Sequence, residues 1–90
     1  KACMHEASAM RGLLRRIDAI VAHEGAARVT SVRVRLGALS HFSPAHFAEH
    51  FVAAAAGGPA AGAELLVTAG EDASDPYAAD IVLESIDVAD

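Results

Sequence analysis

Arg28-Val29-Thr30-Ser31-Val32-Arg33-Val34-Arg35-Leu36 is the stretch on which the fold turns. Thr30, Val32, Val34 and Leu36 alternate with Ser31, Arg33 and Arg35. That is the period-two pattern of a strand with one apolar face and one basic face. Charged side chains on a strand are normally solvated, so Arg28, Arg33 and Arg35 read as an outer face and not as an anion site. The apolar side needs a layer laid over it, and the flanking segments supply one.

Upstream, Ser8 to Glu24 reads as an amphipathic helix. Met10, Leu13, Leu14, Ile17, Ile20 and Val21 share one face, while Arg11, Arg15, Asp18 and His23 lie off it. Ser8 is the expected N-cap and Gly25 the C′ residue. Downstream, Gly37 to Phe42 connects to a second helix opened by Ser43 at the N-cap and Pro44 at N1. Phe42 and Phe47 have the N′ and N4 spacing of a hydrophobic staple, Phe51 continues the buried stripe, and Gly57-Gly58-Pro59 ends the helix.

Ala63 to Thr68 reads as a second strand and Ile81 to Val88 as a third, separated by a polar loop from Ala69 to Ala79. A short strand around Met4-His5 is an option. The expected architecture is α+β: a small three-stranded sheet with two α-helices packed on one face. Ninety residues form one domain, 1–90, with residues 1–3 either an expression remnant or a natural extension ahead of Met4.

A net charge of −5 argues against a nucleic-acid partner, which selects a basic face. The one cysteine, Cys3, excludes an intramolecular disulfide and a zinc site built from cysteines. The sequence has no apolar run of ~18 residues and no signal-type leader, so no membrane association and a cytoplasmic location are expected. It has no P-loop, no dinucleotide fingerprint and no nucleophile elbow, and Ser40-His41 has no carboxylate evidently placed to orient the imidazole. An enzyme is not expected.

The histidines carry what chemistry there is. At Met4-His5-Glu6, a terminal amine, the next amide nitrogen and an imidazole can chelate in a plane, a nitrogen-rich geometry that suits Ni(II) or Cu(II). The alternative is an incidental His-Glu pair at a loose terminus. His46 and His50 lie four apart on the second helix, with Glu49 adjacent and His41 just upstream. Such a pair can hold a transition metal, and a solvated helix face is the plainer reading. His23, near a helix C-terminus, makes a favourable dipole contact.

These residues resemble the hydrogenase nickel-incorporation proteins of the HypA/HybF family. The resemblance is carried by Met4-His5-Glu6-Ala7-Ser8, by His23-Glu24-Gly25-Ala26, by Val29-Thr30-Ser31-Val32-Arg33-Val34 and by Leu36-Gly37-Ala38-Leu39-Ser40. Ser43 to Phe51, Gly62-Ala63-Glu64-Leu65 and Leu83-Glu84-Ser85-Ile86-Asp87-Val88 continue it to the end of the chain. The resemblance implies a metallochaperone. It would bind Ni(II) through Met4, His5 and Glu6 and, with a nickel-associated GTPase, deliver it to the large subunit of a [NiFe]-hydrogenase or to urease. The implied ligands are the amine of Met4, the amide and imidazole of His5, and Glu6 through its amide or side chain. His41, His46 and His50 are the secondary candidates.

Two departures from the family pattern are visible. Where relatives carry two Cys-x-x-Cys pairs between the last two strands, this chain has only a short loop, 70–79, without cysteine, so structural zinc is not expected. At Ser43 some relatives carry an acidic residue linked to nickel. Loss of the zinc module leaves a free sheet edge, a route to a homodimer. A metal-free adaptor or scaffold that keeps the fold without nickel delivery is the alternative function.

Overall fold

The computed structural model describes residues 2–90, and side chains from Ser8 onward. Its elements run α1 (Ala2–Glu24), β1 (Arg28–Leu36), α2 (Pro44–Ala55), β2 (Glu64–Ala69) and β3 (Ile81–Ala89). The expected α+β architecture is the one formed. The sheet order is β2-β1-β3, with β1 parallel to β2 and antiparallel to β3. Parallel neighbours need a crossover, and α2 is that crossover.

The inner face of the sheet and the apolar stripes of both helices make one core. Ile17, Val32, Val34 and Phe47 are fully buried, with Leu36 and Phe51 nearly so; Met10, Leu13 and Val21 extend the α1 stripe. Leu65, Val67, Leu83 and Ile86 pack against this cluster from the two outer strands. On the opposite face Arg33, Glu64, Leu66 and Thr68 are exposed and Arg35 is half-buried, as expected of a solvated basic strand face.

Two local expectations are corrected. α1 begins at Ala2, so Ser8 lies within the helix and not at its N-cap, and the helix also takes in Met4-His5, the stretch that a short strand would occupy. Alanine, methionine and glutamate upstream of Ser8 are good helix formers, and nothing there stops the helix. On β1 the buried residue near the start is Val29, not Thr30, which is half-buried. The pairing with β3 shifts register between Val29 and Ser31. The irregularity puts Val29 in the core, three residues before Val32 instead of two.

The C-terminus of α1 closes as expected. Gly25 has φ 66°, its N–H donates to the Ala22 carbonyl (3.2 Å), and the Ala26 N–H donates to Val21 (3.1 Å). These are the paired bonds of a Schellman motif, which needs a left-handed residue at C′. Gly37, just past β1, serves a different need. A Cβ there would lie 2.1 Å from the Ala78 carbonyl oxygen, because the 77–80 turn is bonded directly onto this segment. The Gly37 N–H donates to Asp80 (2.9 Å) and the Leu39 N–H to Ala78 (2.7 Å).

Candidate metal-binding site

The start of α2 positions two of the candidate ligands. Ser43, in extended conformation (φ −85°, ψ 155°), accepts a hydrogen bond at Oγ from the His46 N–H at 3.1 Å. Pro44 follows at N1, where a missing N–H costs nothing. Phe42 meets Phe47 edge to face at 5.5 Å, so the staple read from the spacing is present. Phe47 is wholly buried, and this anchors the first turn.

On that turn the rings of His46 and His50 lie 4.4 Å apart between centroids, with planes inclined at 53°. Phe42 backs both, at 5.7 Å from His46 and 6.5 Å from His50. His46 is half-buried and His50 exposed. The i,i+4 spacing therefore brings the two imidazoles into contact.

His41 belongs to a different place. It is exposed, with φ 68°, and lines a cleft of ≈790 Å³ between α1 and the start of β3. Leu13, Phe42, Ile81 and Leu83 form apolar parts of that cleft, and Arg16 and Asp80 are its charged residues. No sequence pattern marks Arg16, Tyr77 or Asp80, because the turn that brings 77–80 beside α1 leaves no periodicity to read. Ser40 contributes a turn: its N–H donates to Gly37 (3.0 Å), and its Oγ accepts a long 3.5 Å bond from the Phe42 N–H.

Among the described residues no three His, Cys, Asp or Glu side chains are placed to hold a metal ion together. The trio His41, His46 and His50 is thus a pair and a separate residue. The side chains of Met4, His5 and Glu6 lie outside those described. Among the described residues no helix is long and apolar enough to cross a membrane.

The loop between β2 and β3 is built by two aspartates. Asp72 Oδ1 accepts from the Ser74 N–H at 2.9 Å and from its Oγ at 2.6 Å, and these bonds hold the carboxyl below its usual value near 3.8. Asp75 Oδ1 accepts from the Tyr77 N–H at 2.8 Å. The turns deliver Ala78 into a buried position against Gly37.

Comparison with known families adds the deciding observation: residues 4–73 match the HypA family, described as hydrogenase/urease nickel incorporation, metallochaperone. The chain belongs to the HypA family. The HypA match begins on Met4-His5-Glu6 and runs through β1, α2 and β2 into the following loop; β3 lies beyond it yet completes the sheet along β1. No curated protein matches the chain. Members of the family are metallochaperones for nickel incorporation and not enzymes, in keeping with the absence of a catalytic motif from the sequence.

Proposed function

We propose that this protein binds Ni(II) at Met4-His5-Glu6 and hands it, with a GTPase partner, to the large subunit of a [NiFe]-hydrogenase during maturation. The observation that carries the reading is the family match, which starts on these three residues. Nickel is cargo here, and the chemistry is ligand exchange: no substrate bond is made or broken.

Helix geometry supports the placement. The first amides of an α-helix have no intrahelical acceptor. In a chain starting at Met4, the amides of His5 and Glu6 fall in that first turn. Each can be given up to a metal without breaking a helical hydrogen bond. Among the described residues, Met10, Leu13, Ile17 and Val21 anchor α1 in the core, and this anchorage does not depend on the ligand segment. A site of this kind loads and releases without unfolding the domain.

A free amine at Met4 binds the ion directly, whereas an amide nitrogen at the same residue must first lose its proton. Nickel affinity therefore depends on whether residues 1–3 are retained. The direct test is calorimetric titration of Ni(II) into both forms and into the His5→Ala variant. In maturation assays His5→Ala should abolish nickel delivery; undiminished delivery would instead support a metal-free adaptor. No structural zinc is required in this reading, because the loop from Gly70 to Ala79 carries no cysteine.

A further inference from the structure

We propose that His46 and His50 form a second nickel- or copper-binding site, on the first turns of α2 and separate from the terminal segment. The argument is metric. With metal–nitrogen bonds of about 2.0–2.1 Å and ring centroids about 1.15 Å behind the nitrogens, two imidazoles at ~90° on one ion have centroids ~4.5 Å apart; at a tetrahedral angle they stand ~5.2 Å apart. The observed separation is 4.4 Å. The rings thus stand at a separation at which two imidazoles can share one ion in adjacent positions. Imidazole ligands suit Cu(II) and Ni(II).

The rings are also held before any ion arrives. Phe42 lies against both imidazoles and is itself fixed edge to face on the buried Phe47. Ser43 fixes the backbone at His46 through the cap bond. Each imidazole has two nitrogens, so a hydrogen bond at one leaves the other for the ion and sets the tautomer. No third protein ligand joins among the described residues, and the remaining positions fall to water or to an incoming donor. An ion held by two imidazoles is left open to exchange.

The test uses the full-length His5→Ala chain, so that the terminal site is removed, with Ni(II) alone as probe and ¹⁵N imidazole resonances as readout. Equimolar Ni(II) should shift or broaden the His46 and His50 signals more strongly than those of His23 and His41. His46→Gln and His50→Gln should each weaken binding by more than the about 10-fold typical of removing an outer-shell partner, with amide spectra still showing the folded domain. His46 and His50 signals that neither shift nor broaden, or variants that bind as the parent does, would overturn the proposal. Failure of the terminal site has a different signature: the parent and His5→Ala chains would then bind alike, whatever happens at the pair.

Discussion

The rings of Phe42 and Phe47 cross at 89° with centroids 5.5 Å apart, and through them the connection after β1 is locked onto the first turn of α2. Phe42 faces the histidine pair on one side and the core on the other. It couples the stability of α2 to the placement of His46 and His50.

Phe42→Ala removes this contact. An aromatic pair is worth about 0.5–1.5 kcal/mol beyond area burial. With the half-buried ring's own transfer free energy, the expected loss is about 2 kcal/mol. Urea denaturation should show it as a lower midpoint at unchanged slope. A loss under about 0.5 kcal/mol, the ordinary range for surface substitutions, would mean the staple is ornamental.

Ser43→Ala deletes the bond from the His46 N–H and should cost about 1 kcal/mol. Ser43→Asp keeps a capping oxygen at the same place and should restore stability to within a few tenths of a kcal/mol. Thermal melts of the two variants side by side separate a cap from a generic requirement for serine.

Of the glycines, Gly37 is the one where an added Cβ, as in Gly37→Ala, would be most crowded. The new Cβ would meet backbone, the Ala78 carbonyl at 2.1 Å, which has no rotamer to yield. Overpacking of this kind costs about 1–3 kcal/mol and occasionally more, and the upper end is expected here. Ala78 should lose amide protection in hydrogen exchange, because its turn must retreat. Wild-type protection in the variant would refute the close approach.

Most of the fold was legible because its signals are local. β1 spans the residues its alternation marks, α2 starts where Ser43 and Pro44 place it, and Gly25 caps α1. β2 and β3 lie within one residue of their expected ends. The early start of α1 escaped for a local reason, the good helix formers ahead of Ser8; most of the rest depends on partners distant in sequence. The register shift that buries Val29 exists only against β3. The burial of Ala78, inside a loop that reads as polar, depends on Gly37 forty-one residues earlier. The contact between His46 and His50 was legible from their spacing; the separation of His41 from them was not, because a φ of 68° sets its direction.

The Asp72 turn makes a prediction in pH. The Ser74 hydrogen bonds lower the carboxyl pKa, so they stabilise the folded loop above the unfolded value near 3.8 and are lost as pH falls through the lower folded value. A ¹³C carboxyl titration should place the Asp72 midpoint below 3.8, and Ser74→Ala should raise it. An unmoved midpoint in Ser74→Ala would show that the carboxyl owes nothing to this turn.

The central claim is that nickel is held at Met4-His5-Glu6, and calorimetric titration of Ni(II) into the chain beginning at Met4 tests it most directly. The account predicts a tight terminal site that is lost in His5→Ala, leaving only the separate binding at the His46–His50 pair, and that weakens as pH falls toward the ordinary imidazole value of ~6.5, where protons compete for the ligand. Binding unchanged by His5→Ala, or equally strong at pH 5.5, would contradict it.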